Sequence, residues 1–155
     1  MLDHGALTDI ILAQLATSGE LIGDGVAPVD GGWLQGQPNQ SVFVPYTVLV
    51  STGSNVMIND FDGNLDWTVN FNLRHFGGSR KQVDWVANKT RSVVDAGVNT
   101  LLHSTFGTTE IYKVTAIQWQ TLGAVNRVDT VNPPFWQCFD TVGFVCSRNT
   151  FTPTV

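Results

Sequence analysis

The feature that most constrains this chain is a stretch, residues 67–102, in which a strand pattern turns into a helix pattern. Large apolar residues at 67, 69, 71 and 73 alternate with polar ones, the period of a strand with one buried face. Gly77-Gly78 ends that strand, and Ser79-Arg80-Lys81-Gln82 is typical of a capping box at a helix start. We therefore predict a helix over 79–102, about 36 Å long at 1.5 Å per residue, which covers the sheet.

The rest of the chain divides into shorter patterns on either side of this unit. Apolar residues at helical spacing predict an amphipathic helix over 6–17, and a β-rich run predicts a strand over 45–51 that is buried on both faces. Further strands are predicted over 22–28, 111–120 and 135–147, and loops over 29–44, 53–65 and 123–134. The polar residues 148–155 are predicted to form a flexible tail.

Together these elements predict an α+β fold built as a two-layer sandwich. A mainly antiparallel sheet of four or five strands is packed by one long and one shorter helix, and residues 1–155 form a single domain. A chain of 155 residues with 43% hydrophobic residues has enough apolar surface for one core. The N-terminus lacks the layout of a signal peptide and no apolar run reaches about 18 residues, so we expect the protein to stay where it is made.

Cysteine spacing and net charge narrow the functional classes. Cys138 and Cys146 lie on one predicted strand, with Trp136, Val142 and Phe144 on the same face. At 3.3 Å per residue the two cysteines are about 26 Å apart, beyond disulfide reach, and two free thiols fit a reducing cytosol. The net charge of −5 disfavours general binding to nucleic acid. Basic residues at 74, 80, 81, 89 and 91 form either a local positive patch or, the more ordinary interpretation, a solvated helix face.

The sequence offers little that predicts chemistry. His4, His75 and His103 stand apart from one another, with no cysteine or carboxylate at metal-ligand spacing and no nucleophile motif. The aspartates of residues 60–66 alternate like a calcium loop, but Leu65 stands where that loop needs glycine. We therefore predict no catalytic residue, no metal site and no cofactor, and we expect that the protein is not an enzyme.

Aromatic residues are more informative, because many of them lie in or beside predicted loops and termini rather than within strands. Aromatic and arginine side chains are the usual anchors of protein interfaces. With only 14% charged residues, this distribution favours an assembly subunit over a free monomer. The predicted interface residues are Trp33, Gln35, Arg80, Lys81, Phe135, Trp136 and Phe151.

The order of elements resembles the tail terminator proteins of long-tailed bacteriophages, most closely those of phages that infect actinobacteria. The resemblance is carried by three stretches and extends to about residue 147. They are His4-Gly5-Ala6-Leu7, Gly23-Asp24-Gly25-Val26-Ala27-Pro28, and Gly31-Gly32-Trp33 through Pro45-Tyr46. These motifs concern layout and composition, so no functional residue transfers one by one.

The resemblance implies a structural role in the virion. Such subunits form a homohexameric ring that caps the tail tube, ends its growth and joins it to the head-completion (stopper) protein in the neck. Genomic DNA passes through the lumen without specific binding, and assembly takes place in the host cytoplasm, with no membrane involved. Two alternatives stay open: another connector subunit such as the stopper, for which a more complete β-barrel is expected, and a monomeric ligand-binding or enzymatic α+β domain.

Overall fold

In the computed structural model, the described residues are 2–16, 22–24, 45–58, 65–102, 104–107, 111–131 and 134–148. They form three helices and seven strands. In chain order these are α1 (His4–Ala16), β1 (Ile22–Asp24), β2 (Tyr46–Ile58), β3 (Leu65–Gly77), α2 (Arg80–Ala96), α3 (Val98–Leu101), β4 (Thr105–Phe106), β5 (Tyr112–Thr121), β6 (Asn126–Val128) and β7 (Phe135–Arg148).

The strands form one sheet in the order β1-β2-β3-β7-β5-β4, and β6 pairs with the start of β7. β1 runs parallel to β2, and every other described pair is antiparallel. The fold is therefore α+β and mostly antiparallel, as predicted. The predicted count of four or five strands is too low, and the two-layer sandwich is not confirmed, since the sheet curls into half a barrel.

One face of the sheet packs against the helices and forms the core. Alternate residues of β3 and β7 point to this face, so that Phe71 and Phe144 meet edge to face with ring centroids 5.6 Å apart. Leu7, Ile11 and Leu15 of α1, spaced by four residues, cover it from the helical side. Burying each such side chain contributes about 1.5–3 kcal/mol, which makes this face the main source of stability.

The predicted capping box is present at the start of α2. Ser79 has extended backbone angles, and its side chain accepts a hydrogen bond from the Gln82 amide at 3.2 Å. The Gln82 side chain reaches back, although it accepts from the Gly78 amide at 2.7 Å rather than from the amide of Ser79. The local sequence therefore fixes where the helix begins, as predicted.

The predicted continuous helix over 79–102 is wrong at its far end. α2 ends at Ala96, Gly97 forms a turn, and the four-residue α3 follows. The Gly97 amide donates to the Val93 carbonyl at 2.9 Å, and a Cβ on Gly97 would lie 2.6 Å from Cγ of Gln14. α1 approaches so closely here that only a glycine fits. The spacing of apolar residues does not show this approach, so the prediction continued the helix past Gly97.

Two predicted loops also contain strand. β2 continues to Ile58, past the predicted loop start at Gly53, because its polar residues pair with β3 along their whole length. The register shifts between Ser51 and Gly53, and Gly53 has a φ of 119°, a conformation that glycine adopts without strain. β6 lies within the predicted loop 123–134.

Both cysteines are free and buried, as their spacing predicted. Burial raises the pKa of the Cys138 thiol to about 11 and that of Cys146 to about 12, so both are protonated at neutral pH. Within the described residues, no helix is both long enough and apolar enough to span a bilayer.

The Ser79 cap gives a direct test of the α2 start. We expect Ser79→Ala to lower the free energy of unfolding by about 1 kcal/mol, because the Gln82 amide loses its acceptor. Ser92→Ala, on an exposed position inside the same helix, is the matched control and should be neutral or slightly stabilising. Urea unfolding followed by circular dichroism measures both; equal effects of the two variants would contradict the cap.

Candidate functional site

A carboxylate lies at the centre of the buried polar groups, on the face of β7 that packs under α2. Asp140 has 0% exposed surface. Arg91 of α2 contacts it with two nitrogens: Nε donates to Oδ2 and Nη2 donates to Oδ1, both at 2.7 Å. The Gly123 amide donates to Oδ1 at 2.9 Å. Because bidentate charged pairs are strong and geometrically specific, this contact fixes α2 and the segment after β5 against the sheet.

A histidine extends this arrangement from β7 across β3 to β2. His75 Nε2 lies 2.8 Å from Asp140 Oδ2, and Nδ1 lies 2.7 Å from Thr47 Oγ1. An ionised carboxylate only accepts, so Nε2 carries the proton and Nδ1 accepts from the Thr47 hydroxyl. Thr47 Oγ1 is also 3.0 Å from Thr90 Oγ1 on α2. We call Thr47, His75, Thr90, Arg91 and Asp140 the Asp140 network.

Burial and hydrogen bonding set the charges in the Asp140 network. Burial raises the pKa of Asp140, but hydrogen bonds from His75, Arg91 and the Gly123 amide outweigh it and hold that pKa well below its usual range. Burial is also the largest influence on His75 and lowers its pKa despite the carboxylate beside it. The hydrogen bond to Asp140 raises the pKa of Arg91. At neutral pH the network therefore holds one arginine cation, one carboxylate and a neutral histidine.

The arrangement has the residue types of a hydrolytic triad in a place that substrate does not reach. Thr47, His75 and Asp140 are each 0% exposed, and the Arg91 side chain, at 23%, is where the network meets solvent. His75, which has no carboxylate near it in the sequence, lies beside Asp140 in the fold. The two groups meet inside the packing, and His103 lies outside the described residues.

Metal binding has no support in the same region. Among the residues that the structure describes, no group of three histidine, cysteine or acidic side chains could hold a metal ion. Cys138, which lies beside Asp140, donates to the Gly123 carbonyl at 3.2 Å. Its raised pKa keeps it in the thiol form, which is a poor nucleophile and a poor metal ligand.

An aromatic cluster lies on the opposite face of the sheet, away from the helices. The Phe76 ring stacks on Tyr46 at 5.0 Å and meets the edges of Phe135 at 5.8 Å and Phe139 at 6.2 Å. The Arg74 guanidinium lies over Phe139, 5.4 Å from the ring centroid. Phe139 is 41% exposed, so this cluster reaches the surface of the subunit.

Four predicted interface residues fall at the same end of the sheet as this cluster. Arg80 and Lys81 are exposed at the start of α2, and Phe135 and Trp136 are half-buried at the start of β7. Trp136 pairs with Gly77, so the structure brings these residues together near the β3–α2 junction. No contact with a partner tests their role, which stays a prediction. The other three, Trp33, Gln35 and Phe151, lie outside the described residues.

The centre of the Asp140 network was not predicted from the sequence, although the sequence contains a signal for it. The alternation on β7 places Asp140 on the same face as Cys138 and Val142, and all three are buried. The alternation on β3 continues past Leu73, the last apolar position noted in the sequence, and places His75 on the buried face. An aspartate and a histidine at core positions of two strands predict a buried polar pair once those strands are known to be neighbours.

Removing the cation of this network should cost much more than removing an exposed one. We expect Arg91→Ala to lower the free energy of unfolding by about 3 kcal/mol, because Asp140 stays buried with fewer partners. Arg127→Ala is the control: its pair with Asp129 has a similar distance, 2.8 Å, but the two side chains are 52% and 69% exposed. That loss should be below about 1 kcal/mol. Similar losses in urea unfolding would contradict the importance of the network.

The lowered pKa of His75 predicts that the folded protein loses stability as the pH falls. In the unfolded chain His75 titrates near pH 6.5, whereas the buried imidazole, facing Asp140 and Arg91, stays neutral to lower pH. The unfolded state therefore binds more protons, and the free energy of unfolding falls by up to about 1.4 kcal/mol per pH unit as pH decreases from about 6.5. Below about pH 4, Asp140 is protonated in the unfolded chain but stays charged in the folded protein, which adds to the fall. His75→Gln should flatten the first part of this curve in urea unfolding between pH 7 and pH 5; an unchanged slope would contradict a neutral buried His75.

No protein-family model matches the sequence of this chain, and no curated protein matches it. Among solved structures, it is similar to a chain of the virion of a native gene transfer agent particle, with a TM-score of 0.47 and 14% sequence identity. That match covers 93% of this chain and 96% of the other.

Proposed function

We propose that this protein is a structural subunit of a phage virion, and more specifically a tail terminator that forms a six-subunit ring on the head-proximal end of the tail tube. In this role it ends growth of the tube and presents a surface to the stopper protein in the neck. The proposal starts from the resemblance of the sequence to tail terminators. It needs a surface on each subunit that is suited to ring formation.

The observation that carries the proposal is the exposure of a large aromatic side chain on each side of the subunit. Trp85 is 47% exposed on the outer side of α2, and Phe139 is 41% exposed on the helix-free face of the sheet. A ring built from one repeated contact is heterologous: it needs two different patches on every subunit rather than one self-complementary patch. Exposed aromatic side chains in two separate places meet that requirement, because aromatics are enriched at interfaces.

Both aromatic side chains are held next to cations. Lys89 Nζ lies 5.5 Å from the Trp85 ring centroid, and Arg74 lies over Phe139. Arg74 Nε is buried without a hydrogen-bond partner among the described residues. A donor in that state is costly. What the Phe139 patch offers a neighbouring subunit is its exposed ring with a cation beside it.

Two further properties agree with this role: the net charge of the chain, and the fact that the groups of the Asp140 network bond to one another. A net charge of −5 suits a subunit whose ring must let DNA slide through its lumen without being held. The titratable groups that the structure brings together are engaged with one another inside the core, which is what a scaffold needs. No cofactor is part of the proposal; the partners are other copies of the chain, the tail tube protein and the stopper.

The stopper alternative is strengthened by the structure. A curled sheet of seven strands is closer to a barrel than the predicted sheet of four or five, and α2 is shorter than predicted. The terminator stays first because two helices, α1 and α2, cover one whole face of the sheet. Both roles place the protein in the connector between head and tail.

The oligomeric state tests the proposal. We expect light scattering of the purified protein to give the mass of six subunits. Trp85→Ala and Phe139→Ala should each shift the equilibrium at least tenfold towards smaller species, while Ser92→Ala should leave it unchanged. A stable dimer, or a monomer that persists when purified tail tubes are added, would contradict the ring.

A further inference from the structure

Among the described residues, the sheet ends on both sides in very short strands, and much of the strand beside each of them has no described neighbour. On one side, β1 pairs only with Thr47, Val48 and Leu49 of β2. On the other side, β4 pairs only with Tyr112 and Lys113 of β5. Each short strand thus covers one end of a strand that is at least ten residues long.

Two long backbone edges remain, which we call the free edges: residues 50–58 of β2 and 115–121 of β5. Within the part of the chain that the structure describes, no strand pairs with either of them on the outer side. On the outer side of β5, the Val114 amide donates a hydrogen bond to the Ser104 carbonyl at 3.0 Å, just before the free edge begins. Unpaired strand edges present rows of N–H and C=O groups that another strand can pair with.

The free edges lack the charged and proline residues that often protect such edges, although each contains a register shift. Neither residues 50–58 nor residues 115–121 contain a lysine, a proline or any charged residue. Natural proteins use charges and prolines on edges to prevent unwanted pairing. The register shifts of β5 lie between Val114 and Ala116 and between Trp119 and Thr121. Residues 116–119, which lie between these shifts, pair regularly with β7, so a partner strand can pair with their outer edge.

The two free edges lie at the same level of the sheet. Gln118 of β5 pairs with Gly143, Gly143 pairs with Asn70, and Asn70 pairs with Gly53 of β2. Gln118 and Gly53 therefore occupy opposite ends of one row across four strands. The next row runs in the same way, from Trp119 through Val142 and Phe71 to Ser51.

Strand direction is also compatible with joining these edges. β5, β7, β3 and β2 are antiparallel in succession, so β5 and β2 run in opposite directions. If one copy is rotated about an axis along the strands, its β2 arrives beside the β5 of its neighbour in antiparallel orientation. Because the free edges are level, this rotation needs no rise along the axis, and a contact without rise closes into a ring rather than a filament.

We infer that neighbouring copies of this chain join through main-chain hydrogen bonds between the free edge of β5 on one copy and the free edge of β2 on the next. The antiparallel sheet then continues from subunit to subunit. The inference rests on the proposed ring and adds a main-chain contact between sheet edges to the contacts of the Trp85 and Phe139 patches. Each junction pairs backbone groups that have no outer strand partner among the described residues, and neither edge carries a charge that would oppose the pairing.

A cysteine pair tests this contact directly. Gln118→Cys lies on the β5 edge, and Thr52→Cys lies on the β2 edge one residue from Gly53; both side chains are exposed. The native thiols are buried and protonated, so they react little. Treatment of the double variant with a short bis-maleimide should give a ladder of linked subunits on a denaturing gel, ending at six. A double variant with Gln118→Cys and Ser92→Cys, the latter on the helical side, should give none.

The outcomes separate this inference from the proposed function. A hexamer by light scattering without the ladder would refute the edge contact and leave the ring intact. Cross-linked dimers from Gln118→Cys alone would show β5 pairing with β5 around a two-fold axis, which overturns both. A protein that neither forms a hexamer, with or without tail tubes, nor cross-links refutes both as well.

Discussion

The structure depends on one buried carboxylate. Transferring Asp140 from water into the core costs several kcal/mol, and the charge persists there only because donors surround it. Arg91 supplies two of these donors, His75 one and the Gly123 amide another. These groups come from α2, β3 and the segment after β5, so the elements reach their final positions together. Hydrogen bonds to a charged group contribute about 1.5–3 kcal/mol each, enough to offset the transfer when all of them form.

The same interaction fixes the register of the central strands. Thr47, His75 and Cys138 occupy one row across β2, β3 and β7, and the hydrogen bond from Thr47 to His75 exists only in that row. A slip of one residue would turn Thr47 to the other face and place a hydrophobic neighbour beside the imidazole. Apolar packing alone distinguishes such registers less sharply, because Val48 and Leu49 are both buried and differ little in volume. The polar contacts therefore specify the alignment of β2 on β3.

The local part of this fold could be predicted from the sequence, and the part that arises from contacts between distant segments could not. Capping chemistry located the start of α2 at Ser79, and alternation located β3 and β7. The end of α2 at Gly97 follows from the approach of α1, and the strand character of residues 53–58 follows from pairing with β3. His75 and Asp140 are 65 residues apart in the chain, and only the adjacency of β3 and β7 brings them together. The Asp140 network could therefore not be predicted until the strand order was known.

The register that the Asp140 network fixes determines the level of the free edges. Residues 50–58 of β2 are small and polar for most of their length, and such a strand is weakly specified by packing. Its alignment comes from the other end, where Thr47 contacts His75. A shift of β2 by two residues would keep the apolar face but displace Gly53 about 7 Å along the strand relative to Gln118. The proposed edge-to-edge assembly without rise would then fail. Under that proposal the buried ionic network has a role beyond stability, since an apolar core can be equally stable.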